Sequence, residues 1–252
     1  MQKMMSEKKK EILNLELTHP DFIKSAVLIL KEKNGLNFEL NRYAKFLYSK
    51  GFDVFCPECD KSFYSYKDWI NFAMEKYRCL RGYYTNFYIL GFYSGIYPCL
   101  YLSAMLKAVS GIICFFPYIN FNYSKNKLLD MIAKNSILKH YSYLKISENK
   151  YYPINYLNEI SKLKNLLYKN IVNITSPCLF FAGRQTNDID FIYKKISSKT
   201  KEKIILNENN LFLSSTNEKN YIENKTLEFL FNLENKKSYD GMFGFNKEVV
   251  LK

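Results

Sequence analysis

Gly91-Phe92-Tyr93-Ser94-Gly95 follows directly on the apolar run NFYIL. Two glycines flank a central residue at the end of an expected strand, the spacing of a sharp strand-to-helix turn that lifts a nucleophile above a sheet. Glycines are needed there because strand and helix backbones pass at close range. The central residue in this chain is Tyr93. A phenol has an ordinary pKa of about 10, so it needs a neighbouring base to become a nucleophile near neutral pH. Ser94 carries a more usual hydroxyl, but a one-residue shift on a sharp turn aims its side chain elsewhere.

The groups that could assist either hydroxyl are sparse. The chain has two histidines, His19 ahead of the first expected strand and His140 far downstream. Asp188 and Asp190 follow the apolar run PCLFFAG, and Glu32 follows SAVLIL. Cys56-Pro57-Glu58-Cys59 is a lone C-x-x-C. A zinc site would want a second ligand pair and a redox pair a thioredoxin-like setting, so it reads as a strand end at Pro57, with no metal or cofactor expected.

These residues must be positioned by alternating elements. SAVLILKE (25–32), FDVFCPE (52–58), NFYILG (86–91), SGIICFF (110–116), PCLFFAG (177–183) and EKIIL (202–206) read as buried strands. Between them, apolar residues at helical spacing mark helices ending at Gly51, carrying Trp69, Phe72, Ala73, Tyr77 and Leu80, and following Gly95, where Pro98 suits the opening turn. Further helices are expected near 188–196 and within 217–233. The alternation predicts a mainly parallel sheet with helices on both faces.

Residues 118–172 break this rhythm and read as a polar, aromatic, partly helical insertion after the fourth strand. Residues 25–117 and 173–233 then form one core, with 1–24 an N-terminal segment and 234–252 a polar tail. Tyr118, Phe121, Tyr123, Tyr141 and Tyr143 in the insertion would pack on the sheet, line a pocket or meet a partner.

At 252 residues, 48% of them hydrophobic, the chain can bury one large core. Its net charge of +13 rests almost wholly on lysine, with arginine only at 42, 78, 81 and 184. No basic stripe interleaved with aromatics marks a nucleic-acid surface. The N-terminus has no apolar signal segment and no window reaches the length of a membrane span. Six cysteines, most of them beside apolar runs, fit a reduced, cytoplasmic protein.

The order of motifs resembles the α/β-hydrolase fold, and within it the dienelactone hydrolases, over about residues 25–233. VLILKEKNGLNFELNRYAKFLYSKGFDVFCPE resembles that family's valine-rich strand, His-Glu, Gly-Leu-Asn, helix and strand ending in Pro-Asp. YILGFYSG, ITSPCLFFAGR and TLEFL resemble its elbow, penultimate strand and last helix.

The resemblance puts Tyr93 at the family's nucleophile, Thr186 at its acid and Asn210 at its histidine. Asparagine is no base near neutral pH. The family's His-Glu pair falls on Lys31 and Glu32, and an arginine that helps hold substrate falls on Ser214. The triad therefore reads as degenerate, with Ser94, Asp188 and Glu32 as fallback candidates. Backbone N–H groups of an oxyanion hole need no particular side chain, so those of Lys33 and Ser94 could still hold a small carboxylate or acyl ligand.

Three functions are consistent with these residues: a hydrolase-like protein without hydrolase activity, an active ester or lactone hydrolase with a rearranged site, and a protein-interaction module. Oligomeric state is not legible.

Overall fold

The computed structural model describes residues 15–21, 23–31, 37–57, 65–116, 143–147, 150–183, 187–207 and 215–242. Strands β1 (Leu15–Leu17), β2 (Ser25–Leu30), β3 (Asp53–Cys56), β4 (Asn86–Phe92), β5 (Gly111–Phe115), β8 (Cys178–Gly183) and β9 (Lys201–Leu206) form a seven-stranded sheet in the order β1-β3-β2-β4-β5-β8-β9. β1 runs antiparallel to β3, and every other pairing in this sheet is parallel. β6 (Tyr143–Ser147) and β7 (Lys150–Pro153) form a separate antiparallel hairpin.

β2, β3, β4, β5 and β8 are buried along their whole length. That is why they read as continuous apolar runs rather than alternating ones: both faces of a parallel sheet are covered. On one face lie α2 (Tyr66–Arg81), α3 (Ile96–Met105), α4 (Ile154–Asn170) and α5 (Asn187–Lys195), packed over Ala26, Leu28, Ile89, Ile112 and Phe180. On the other lie α1 (Asn37–Ser49) and α6 (Thr216–Met242), over Val27, Ile29, Leu90, Ile113 and Phe181.

Local chemistry sets the helix ends. Ser65 and Asp68 form a capping box at the start of α2, each side chain accepting from the other's backbone N–H. α1 ends as expected at Gly51, whose φ of 90° suits glycine. Phe52 N donates to Leu47 O and Gly51 N to Tyr48 O, the paired bonds of a left-handed helix cap.

Three elements differ from expectation. β1 adds an edge strand inside the N-terminal segment, and α6 runs past residue 233, so that Glu234 accepts a hydrogen bond from the Ser25 hydroxyl. Within 118–172, α4 joins the main core through Leu157, Ile160, Leu163 and Leu167. The described part of that stretch is thus a hairpin followed by a core helix.

Candidate functional site

β4 ends in the turn that the glycines announced. Tyr93, Ser94 and Gly95 form a single tight helical turn, and α3 begins at Ile96. Tyr93 has φ of 54°, a left-handed conformation that a bulky L-residue adopts only when its surroundings impose it.

Both glycines are fixed by their neighbours. A Cβ on Gly95 would lie 2.2 Å from the carbonyl oxygen of Leu30, at the end of β2, and one on Gly91 would lie 2.7 Å from Ile96 Cα. No side chain fits either gap, so strand-to-helix passage at this radius requires glycine at both places.

Tyr93 is fully buried, and its ring belongs to the apolar cluster beneath α1 and α6 together with Phe92, Phe115 and Phe116. Phe92 and Phe115 stack at 4.2 Å, and Phe115 stacks on Phe181 at 5.0 Å. Tyr43 meets both Phe92 and Phe115 edge-on and donates its hydroxyl to Thr226 Oγ1 at 2.6 Å. Burial pushes the Tyr43 phenol far above its ordinary range, so it serves as a neutral donor. Phe116, at the end of β5, shares the left-handed backbone with φ of 51°. Two strained aromatic residues thus end adjacent central strands.

Ser94 is also fully buried. Its Oγ lies 2.6 Å from Tyr156 Oη, and the Tyr156 ring leans on Trp69 with 6.5 Å between centroids. Tyr156 comes from the start of α4. The Leu157, Ile160, Leu163, Leu167 stripe of that helix was the sequence signal that would have placed it there.

The expected assisting groups do not gather at the turn among the described residues. His19 is at the opposite end of the sheet. Its Nδ1 lies 2.9 Å from Asp53 Oδ1 and its backbone N–H donates to the same oxygen, while the Tyr84 hydroxyl donates to Oδ2 at 2.9 Å. Asp53 opens β3 opposite Ala26, which in turn pairs with Phe87. From Phe87 to the elbow the strand rises about 20 Å at roughly 3.3 Å per residue, so His19 has no reach to Tyr93 or Ser94.

Asp190 is exposed and engaged by Lys203. Asp188 lies in α5, with its side chain beyond what is described. Glu32, Lys33, Thr186, Asn210, Ser214 and His140 lie outside the described residues. Lys31 is buried immediately after β2, its backbone nitrogen 3.0 Å from where a Gly95 Cβ would stand.

At this end of the sheet, Glu39 binds Lys219 at 3.0 Å and Arg42 at 3.1 Å, and Arg42 also binds Glu223 at 2.8 Å, tying α1 to α6. Burial alone would raise the Glu39 pKa, but hydrogen bonds and charge from Lys219 and Arg42 together lower it. Among the described residues no group of three His, Cys, Asp or Glu side chains could hold a metal ion, and Cys56 of the lone C-x-x-C is buried at the end of β3.

The arrangement of sheet and helices is shared with solved lipases and esterases. A structure from work on LipS and LipT, two metagenome-derived lipolytic enzymes, superposes with TM-score 0.72 at 15% identity, over 88% of this chain and 98% of that one. The chain has the α/β-hydrolase fold.

Monoacylglycerol lipase of Paleococcus ferrophilus matches this fold with TM-score 0.66 at 11% identity, over 87% of this chain and 98% of that one. A soluble variant of monoglyceride lipase from Saccharomyces cerevisiae gives 0.64 at 14% identity, over 87% and 90%. At these identities the likeness is one of fold. No protein-family model matches the sequence, and a search of curated proteins gives no match. Among the described residues, no helix of this α/β-hydrolase-fold chain is long and apolar enough to cross a membrane.

Proposed function

We propose that this chain is a hydrolase-like protein that has lost ester hydrolysis, with its kinship among the dienelactone hydrolases. One observation carries the reading: the residue at the apex of the elbow is Tyr93, buried in the aromatic core rather than presented to substrate. A nucleophile–histidine–acid mechanism needs a base within about 3 Å of the nucleophile. His19 is committed to Asp53 at the far end of the strands. The kinship rests on the order of the motifs and on Gly91 and Gly95, which the turn requires.

A scaffold of this kind is left with a binding role. Backbone N–H groups beside the elbow, with those of Lys33 and Ser94 as candidates, would hold a small carboxylate or acyl ligand. A reducing, cytoplasmic setting belongs to the same reading, supported by the five described cysteines, all free thiols.

The test is turnover of p-nitrophenyl acetate and butyrate. Wild type, Tyr93→Phe and Ser94→Ala are expected to match the buffer background. A wild-type rate above background that either substitution removes would overturn the proposal.

A second reading, an ester or lactone hydrolase with a rearranged site, is favoured by the 2.6 Å contact between Ser94 and Tyr156. There Tyr156, ionised to its phenolate, would take the proton from Ser94 and become the neutral phenol, and turnover would vanish in both Ser94→Ala and Tyr156→Phe. The complete burial of Ser94 weighs against it.

A further inference from the structure

The amino ends of the strands, remote from the elbow, hold a cleft of about 380 Å³ between the turns that lead into β5 and β8. That volume falls in the usual range for small-ligand sites, roughly 300–1,000 Å³. Arg81 and Lys107 line it together with Thr175 and Ser176, and Val109 and Leu233 contribute apolar surface.

Arg81 is held in place by the backbone: Nε donates to Ala108 O at 3.2 Å and Nη1 to Tyr84 O at 2.6 Å. Its Nη2 has no partner among the described residues. Lys107 is exposed and its ammonium is likewise unpartnered among them. No carboxylate lines the cleft, and Glu234, next to Leu233 in sequence, accepts from Ser25.

We propose that this cleft binds a small ligand through a phosphate group. A guanidinium fixed by two carbonyls presents its remaining N–H edge without further loss of side-chain freedom, and its planar donors match phosphate oxygens. The second cation and the hydroxyls of Thr175 and Ser176 supply further donors, while the third hydroxyl of the lining, that of Ser110, accepts from Phe87 N. Two cations with no facing anion suit a dianion better than a singly charged carboxylate, and concave walls concentrate their field.

The test uses the whole chain and inorganic phosphate at constant ionic strength, read by thermal shift and calorimetry, with acetate as the second arm. A saturable response to phosphate that exceeds the response to acetate is expected. Lys107→Glu breaks no protein contact and should abolish it; Arg81→Gln should weaken apparent affinity at least about tenfold, or 1.4 kcal/mol. No saturable response in wild type, an equal response in Lys107→Glu, or acetate matching phosphate would each overturn the proposal. Tyr93→Phe should leave the phosphate response unchanged, which separates this site from any role of the elbow.

Discussion

Gly95→Ala puts the elbow under direct test. The added methyl carbon would stand 2.2 Å from Leu30 O, 2.7 Å from Leu30 C and 3.0 Å from Lys31 N, all backbone atoms. Ordinary contact begins near 3.4 Å, so the closest overlap exceeds 1 Å by this measure. Overpacking costs about 1–3 kcal/mol where flexible side chains can yield. Leu30 cannot yield so readily, because β2 pairs in register with β3 on one side and with β4, up to Gly91, on the other. A loss of about 3 kcal/mol or more is therefore expected, a large part of the roughly 5–15 kcal/mol available to a folded domain. Urea unfolding followed by circular dichroism would measure it, with Gly82→Ala as the control. Gly82 has φ of −66° and nothing within 4 Å of an added Cβ. Alanine there should stabilise by roughly 0.4–1 kcal/mol through the unfolded chain. Equal midpoints for Gly95→Ala and wild type would refute the close-passage account of the turn.

Three further outcomes follow from other contacts. Tyr43→Phe removes the donor to the fully buried Thr226 hydroxyl and should cost about 1–3 kcal/mol in denaturant unfolding without changing the fold. His19→Ala removes a side-chain bond to Asp53 and the stack on Tyr48 at 4.0 Å; it should cost about 1–2 kcal/mol while leaving any ester turnover unaltered. Glu39 has its pKa lowered below the ordinary 4.5 by Lys219 and Arg42 against the effect of burial. A depressed carboxyl pKa contributes stability that is present above the unfolded-state value and is lost as pH falls through the folded-state value. Wild type should therefore lose more stability than Glu39→Gln as pH drops below about 4.5, and parallel curves for the two would refute the assignment.

Much of the sheet was legible because a parallel sheet covered on both faces makes its strands continuous apolar runs. Leu28 and Ile89 face one layer while Ile29 and Leu90 face the other, so no alternation was needed to find them. The elbow was legible for a different reason: two glycines at that spacing answer a steric demand, and Leu30 and Ile96 impose it. β1 was missed because three residues give too short a pattern. Its partner Val54–Cys56 lies far along the chain. α4 was blurred by the polar and aromatic residues around it, although Leu157, Ile160, Leu163 and Leu167 carry helical spacing. Long-range side-chain pairings such as Ser94 with Tyr156 and His19 with Asp53 leave no local pattern at all; topology alone brings them together.

The proposed loss of hydrolase chemistry meets its most direct test in labelling by a fluorophosphonate probe, which reacts with an activated serine. Wild-type protein should remain unlabelled under conditions in which an active serine esterase is modified completely. Stoichiometric labelling of wild type, absent in Ser94→Ala, would contradict it.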